Sequence, residues 1–273
     1  LVLLTRYFLE PAEYGLLYFA LSVAGVAAMV GMLGLPKSTG RYITEFTATD
    51  PTQVPHVLRF SALALGGLAV TVGLGLTVLS EPLAGLLDNP ALAPFLVLGG
   101  GYVVARAHHR YLTNVFQGFN RVDYSALLGA VAAVVRFLAV VGFVLLGLGG
   151  LGAFAGYIVG YVVAAIVGAT ICYRAFYADY TAAKERASGL ARRIVEYSVP
   201  TAATRASVVL DGKVDKIVVG TLVGPAAVGF YTLAGQIADF CVVPAQSLGF
   251  TISPAIGEER HGDRTETAAR IYE

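Results

Sequence analysis

Long apolar runs separated by short polar turns dominate the hydropathy pattern of this chain. A helix needs about 20 apolar residues to cross a bilayer. A first run ends near Leu9, and seven more follow at 14–35, 57–80, 91–118, 121–148, 152–176, 197–223 and 226–253. Lipid does not tolerate unpaired backbone groups, and these runs far exceed the ~10 residues of a barrel strand. They therefore predict about eight transmembrane helices.

Turn-forming residues connect most of these runs, and two longer polar segments interrupt them. The turns contain Glu10-Pro11, Asp88-Asn89-Pro90, Gly149-Gly150 and Gly224-Pro225. The polar segments cover 36–56 and 177–196, and the second is rich in Ala, Lys and Arg. Because the chain opens inside an apolar run and stops in a polar stretch, we expect it to be a piece of a longer protein whose first helix is truncated.

The composition agrees with a polytopic membrane protein. Among the 273 residues, 56% are hydrophobic and only 14% charged, and the mean hydropathy is +0.71. Soluble domains average about 25% charged residues. With a net charge of +1 and two cysteines, the chain is neither a disordered segment nor a secreted disulfide scaffold. The low charge also predicts that no nucleic acid is a partner.

Basic residues alternate between the predicted turns, which predicts an orientation. Cytoplasmic loops collect Lys and Arg near helix ends. One set of turns holds Lys37, Arg41, Arg121, Arg192 and Arg193, with Arg106 and Arg110 on the approach to one of them. The other set holds Glu10, Glu13, Glu81 and Asp88. The pattern predicts a multi-pass protein of the cytoplasmic membrane with its N-terminus in the cytoplasm.

A short internal repeat relates the two halves of the predicted topology. The stretch 9–16 resembles 223–230. The matched positions include Pro11 with Pro225, Ala12 with Ala226 and Gly15 with Gly229. Chance similarity in a chain rich in Ala, Gly and Leu is the alternative. A true repeat predicts two six-helix lobes related by an axis along the membrane normal, as in secondary transporters.

These patterns predict an all-α polytopic membrane protein with one six-helix lobe and the first hairpin of a second. The predicted divisions are an N-terminal lobe at 1–177, a cytoplasmic amphipathic linker at 178–196, two helices of the C-terminal lobe at 197–255 and a cytoplasmic segment at 256–273.

Several short motifs, in this order and spacing, resemble one transporter family. They are Glu10-Pro11-Ala12-Glu13-Tyr14-Gly15, Gly34-Leu35-Pro36 followed by Gly40-Arg41-Tyr42, and the stretches 214–220 and 228–234. The chain resembles the polysaccharide transporter (lipid-linked oligosaccharide flippase) family of the multidrug/oligosaccharidyl-lipid/polysaccharide exporter superfamily. The resemblance implies a MATE-like, V-shaped pair of lobes that flips a lipid-linked oligosaccharide by alternating access. It further implies a transporter rather than an enzyme, with membrane lipids as neighbours. Nothing in the sequence requires more than a monomer.

Ionisable residues within the predicted spans are the candidate functional residues, because each costs roughly 2.5–3.5 kcal/mol to insert at mid-depth. We predict that Arg136, Arg205, Lys213 and Lys216 line a cavity and bind an anionic lipid headgroup. Mutual ion pairing, or snorkelling of Lys216, is the alternative. Asp211, Asp215 and Asp239 are candidates for coupling transport to Na⁺ or H⁺, or for pairing with these cations.

Other features favour transport over catalysis. No phosphate-binding loop of the Walker type occurs, and we predict no cofactor, no metal ligand and no catalytic residue. A multidrug or cation antiporter of the same superfamily is the runner-up and would depend on acidic residues. A membrane enzyme would need an acid–base pair on a longer outer loop.

Gly152, Gly156 and Gly160 predict a close helix contact. Tyr157 and Tyr161, one turn apart on the same run, line either a sugar site or the core.

Overall fold

The computed structural model describes residues 9–177, 187 and 189–238, without the side chains of 205 and 207–211. The predicted cytoplasmic segment 256–273 and about half of the predicted linker 178–196, namely 178–186 and 188, lie outside the described residues. One compact unit extends to Phe230, and a second begins at Tyr231. The description below concerns the first unit, and the second is helical at 231–238.

The described part of the chain is helical, with short turns between the helices. The helices are α1 (Pro11–Met32), α2 (Leu35–Thr49), α3 (Val54–Val78), α4 (Ser80–Leu86), α5 (Ala93–Gly118), α6 (Val122–Leu145), α7 (Gly149–Cys172) and α8 (Leu190–Leu222). Short 3-10 turns precede α3 and α5, and a π-helical turn, Tyr173–Tyr177, extends α7. Helical structure resumes at 225–230.

Five segments of the described chain are long and apolar enough to cross a membrane. They are Pro11–Thr49, Pro51–Val78, Pro90–Gly118, Val122–Leu145 and Gly149–Tyr177. The prediction of an all-α, multi-pass membrane protein is therefore confirmed. Helix α8 covers the predicted span 197–223 as far as Leu222 but is not among the five. At ~1.5 Å per residue its 33 residues extend about 50 Å, longer than a membrane core.

The outward faces of the long helices are apolar, as expected for a surface that meets lipid. Leu63 and Leu74 on α3 are 69% and 61% exposed, and Leu138 on α6 is 62% exposed. A soluble protein rarely leaves large contiguous apolar patches in water. In a bilayer the same side chains contact hydrocarbon and need no protein partner.

Polar segment 36–56 folds mainly as helix α2, which the hydropathy pattern alone did not reveal. Positive φ angles at Leu33 (39°) and Gly34 (72°) break the chain between α1 and α2. One face of α2 is buried and carries Ser38, Thr39, Tyr42, Ile43 and Phe46. The segment therefore packs into the bundle instead of forming a loop.

Helix α2 lies at one end of the bundle with the last turn of α5 and the start of α8. The Thr44 hydroxyl donates to the Gly118 carbonyl (2.8 Å), and the Ser38 hydroxyl donates to the Ile194 carbonyl (2.9 Å). The predicted cytoplasmic residues Lys37, Arg41, Arg121, Arg192 and Arg193 belong to elements at this end. We call it the basic end.

The opposite end, where α1 begins and α7 begins, is the acidic end. A Cβ atom added to Gly149 would lie 3.1 Å from a carboxylate oxygen of Glu13. The described acids Glu10, Glu13, Glu81 and Asp88 belong to turns and helix starts at this end. The alternation of charge in the sequence thus corresponds to two distinct ends of one bundle.

The predicted close contact of α7 is confirmed and is made with α6. Each glycine of the pattern lies against a different residue of α6: Gly152 against Phe143, Gly156 against Val140, and Gly160 against Arg136. A Cβ on Gly156 would lie 2.7 Å from the backbone nitrogen of Val140. Small residues at this spacing let two helix backbones approach closely in lipid.

The two copies of the internal repeat contact each other at the acidic end. A Cβ on Gly15 would overlap the carbonyl oxygen of Pro225, and a Cβ on Gly229 would lie 2.9 Å from the carbonyl oxygen of Pro11. Each glycine thus meets the proline of the other copy. A reciprocal contact of this kind is what a two-fold axis produces.

Candidate functional site

Arg136 is half-buried near the middle of α6, at its contact with α7. It is the fifteenth of the 24 residues of α6, and its guanidinium carbon lies 5.1 Å from the centre of the Tyr157 ring on α7. Its Nε is buried and has no hydrogen-bond partner among the described residues. A cation above an aromatic face gains roughly 0.5–2 kcal/mol, while the unmatched donor can still bind an acceptor.

Arg106 lies near the middle of α5, as the fourteenth of its 26 residues. One guanidinium nitrogen donates a hydrogen bond to the Tyr102 hydroxyl one turn away, and the group lies 5.5 Å from the centre of that ring. The Tyr102 ring in turn contacts Tyr161 on α7, with centroids 5.8 Å apart. Among the described residues, Arg106 is therefore supported by aromatic groups and not by a carboxylate.

Lys213 on α8 provides a third cation. Its side chain passes over Gly25 of α1, where an added Cβ would lie 2.5 Å from Lys213 Cε and 2.7 Å from Nζ. Among the described residues, Arg106 and Lys216 are near enough to repel its ammonium group. Gly25 thus gives Lys213 room to reach the interior.

We call Arg106, Arg136, Lys213, Tyr102, Tyr157 and Tyr161 the basic–aromatic cluster. The three ion pairs found among the described side chains all lie elsewhere: Arg121–Asp123, Arg192–Glu196 and Arg193–Glu45. Desolvated cations without counter-ions are costly. Their grouping at mid-depth therefore favours binding of an anion, which charge-assisted hydrogen bonds would hold.

Contacts between α2 and the first turns of α8 hold the start of α8 in place. The Tyr42 hydroxyl donates to the Arg193 carbonyl (3.0 Å), and the Arg193 guanidinium pairs with Glu45 (2.6 Å). Hydrogen bonding to the Glu45 carboxylate raises the pKa of Arg193 above its ordinary value. Arg41 lies over the Tyr197 ring at 4.2 Å. These contacts anchor the start of α8 at the basic end.

The structure places the other predicted residues less centrally or leaves them undescribed. Lys216 is half-buried, and its ammonium donates to the Gly212 carbonyl of its own helix (3.2 Å). Asp215 is exposed. The side chains of Arg205 and Asp211, and the whole of Asp239, lie outside the described residues. Of the four predicted cavity cations, Arg136 and Lys213 therefore belong to the cluster.

Sequence reasoning missed Arg106 and Tyr102 as members of the site. The sequence grouped Arg106 with the residues that set orientation, because a polar turn follows its helix. The sequence did contain a signal for Arg106, because the residue lies about halfway along the apolar run 91–118. Tyr102 lies one turn before Arg106, a spacing at which helical side chains meet.

Replacing Gly25 with alanine should displace Lys213 without unfolding the protein. The methyl group would occupy the space of the Lys213 side chain, which is flexible and can move away. Alanine also favours a helix interior by about 0.8–1.0 kcal/mol over glycine. We expect an unchanged or higher Tm in detergent and a several-fold lower transport rate. The matched control is Gly67→Ala on α3, where an added Cβ meets nothing within 4 Å. Equal transport by the two variants would contradict a role for Lys213.

Comparison with known proteins gives the family. A search of curated proteins and a search of solved structures each found no match. The profile of a family described as "polysaccharide biosynthesis protein" matches residues 1–258, which is nearly the whole chain and includes every member of the basic–aromatic cluster. The expected family is therefore confirmed, and this multi-pass membrane protein belongs to the polysaccharide biosynthesis protein family.

Proposed function

We propose that this chain is part of a transporter that flips a lipid-linked oligosaccharide across the cytoplasmic membrane. Membership of a polysaccharide biosynthesis family supports a substrate from that pathway. The observation that carries the proposal is the grouping of Arg106, Arg136 and Lys213 at mid-depth, without a carboxylate partner among the described residues. A lipid-linked sugar needs a polar passage for an anionic headgroup, and such a cluster supplies one.

The proposed substrate has three parts, and each has a different environment during transport. The diphosphate oxygens accept hydrogen bonds from the two guanidinium groups and the ammonium. The sugar rings contact the tyrosines, whose rings offer an apolar face and whose hydroxyls offer a polar edge. The lipid tail stays in the bilayer. Arg205 and Lys216 on α8 contribute further positive charge along the same passage.

Alternating access requires that one end of the passage close while the other opens. The reciprocal contact between Gly15 and Pro225 and between Gly229 and Pro11 supports closure at the acidic end. A pocket at the basic end supports opening there. The positive-inside rule supports a cytoplasmic basic end, and with it a cytoplasmic N-terminus. The working unit is one monomer with two lobes and does no chemistry on its substrate.

Ion coupling would involve the acidic residues of the C-terminal part. Asp211, Asp215 and Asp239 are the candidates for carrying Na⁺ or H⁺, because intramembrane carboxylates serve this role in transporters. Coupling to either ion would supply the energy to reset the lobes after the headgroup leaves.

The test of this function compares two probes with the full-length protein in proteoliposomes. One probe is a fluorescent oligosaccharide on a polyprenyl diphosphate, and the other has the same sugar and lipid joined without phosphate. Bleaching by an impermeant reductant measures flipping. We expect the diphosphate probe to move at least tenfold faster than the neutral probe. Equal rates for the two probes, or uptake of a cationic dye in place of both, would refute the proposal and favour the antiporter.

A further inference from the structure

A separate pocket of about 280 Å³ lies at the basic end of the bundle. The end of α1, the break between α1 and α2, and helices α5, α7 and α8 form its walls. Its lining includes Gly34, Lys37, Arg106, His109, Arg110 and Tyr161. Only Arg106 and Tyr161 belong also to the basic–aromatic cluster, so the pocket adjoins that cluster on its basic-end side.

Two cations in the pocket lining differ in how exposed they are to solvent. Lys37 is exposed, whereas Arg106 is half-buried. No carboxylate is present among the described residues that line it. Two acids of this end pair with other arginines, since Glu45 pairs with Arg193 and Asp123 pairs with Arg121. An anion reaching this end therefore meets positive charge first at Lys37 and then at Arg106.

The pocket is large enough for a diphosphate. A site for one water needs about 10–15 Å³ measured in the same way, and this pocket has about 280 Å³. A diphosphate group has nine heavy atoms, so the pocket has room for the charged group of the substrate. The Tyr161 ring, with the His109 ring 5.2 Å away on one side, forms the wall toward the interior.

The backbone at the α1–α2 break lines this pocket and packs closely against α8. Gly34 has a φ of 72°, and a Cβ there would overlap the carbonyl oxygen of Ser198 on α8. Pro36 follows it, and Lys37 begins the exposed face of α2. The break therefore turns Lys37 toward the same opening that Arg106 faces from α5.

We propose that this pocket is a loading site, where the substrate's diphosphate binds to Lys37 and Arg106 before it reaches Arg136. The inference rests on the proposed function, because it names the first binding step of that transport. Arg106 takes part in both steps, since it lines the pocket and also contacts Tyr102 inside the cluster. Lys37 acts only in the first step.

The test measures protection of a single cysteine in the full-length protein. Met32 lines the pocket, so Met32→Cys, with Cys172→Ser and Cys241→Ser and no other cysteine, reports access by a water-soluble maleimide. We expect inorganic pyrophosphate to slow labelling several-fold. Lys37→Gln should raise the pyrophosphate concentration for half-protection at least fivefold, whereas Lys37→Arg and the exposed control Arg59→Gln should not. Labelling unaffected by pyrophosphate, or protection unaffected by Lys37→Gln, would overturn the loading site.

Two further arms identify the source of the diphosphate. A short-chain polyprenyl-diphosphate oligosaccharide should protect at a lower concentration than pyrophosphate, because its lipid tail partitions into the membrane. Equal protection by both would indicate a site for free diphosphates and would overturn lipid loading. The same variants are assayed for flipping. Protection without flipping would refute the proposed function and leave a diphosphate pocket, whereas flipping without protection would refute only the loading site.

Discussion

Replacing Gly34 with valine is expected to destabilise the protein by about 3 kcal/mol or more. Two costs add at this position. A β-branched residue at a φ of 72° is strained by roughly 1–3 kcal/mol. Its side chain would also overlap the Ser198 carbonyl and lie 3.0 Å from the Ala202 nitrogen, and overpacking adds about 1–3 kcal/mol. The measurement is denaturant unfolding of the purified full-length protein in detergent.

Gly147→Val separates the two costs. Gly147 has a similar φ of 81°, but an added Cβ meets nothing within 4 Å. We expect this variant to show only the backbone strain, so the difference between the two variants measures the contact of α8 with the α1–α2 break. If Gly147→Val were as destabilising as Gly34→Val, that contact would contribute nothing.

The sequence was sufficient for the class of the fold, because lipid imposes a strong constraint on apolar run length. It was weaker for segment 36–56. Its buried face includes Ser38 and Thr39, whose hydroxyls bond to backbone carbonyls of Ile194 and Leu35. A hydropathy scale counts Ser and Thr as polar even when their hydroxyls are hydrogen-bonded. A packed amphipathic helix therefore looks like a polar loop in the hydropathy pattern.

The contacts of the glycines were also only partly predictable from the sequence. Their positions in the repeat at Gly15 and Gly229 were visible in the sequence. That each meets the proline of the other copy depends on how distant helices cross, which no local pattern encodes. The glycine pattern on α7 was predictable because it is periodic, whereas the fit of Gly25 to Lys213 is a single contact between distant elements.

The candidate site was predictable in part for a related reason. Arg136 stood out because it lies alone in an apolar run. Arg106 has His108, His109 and Arg110 close behind it, so the local sequence looks like the edge of a membrane span. The run 91–118 already placed Arg106 about halfway along its helix, and α5 ends at Gly118 as that run predicts. The sequence did not encode the aromatic support of Arg106, because the contact of Tyr102 with Tyr161 depends on how α5 packs against α7.

Neutralising Arg106 and Arg136 together should have the largest effect on transport. A hydrogen bond to a charged group contributes about 1.5–3 kcal/mol, so losing two lowers the rate by a factor of roughly 100 or more, at 1.4 kcal/mol per factor of ten. We expect Arg106→Gln/Arg136→Gln to flip the diphosphate probe at least a hundredfold more slowly than the unmodified protein. Each single variant should lose about tenfold.

The stability of the same variant distinguishes binding from folding. The structure pairs neither arginine with a described carboxylate, so removing the charges leaves no unmatched acid and relieves a desolvation cost. We therefore expect the free energy of unfolding to fall by no more than about 1 kcal/mol, while Arg59→Gln changes neither quantity. Arg106→Lys/Arg136→Lys should recover part of the rate, because lysine keeps the charge but loses the planar fork. Normal flipping by the double glutamine variant would show that these cations do not hold the headgroup.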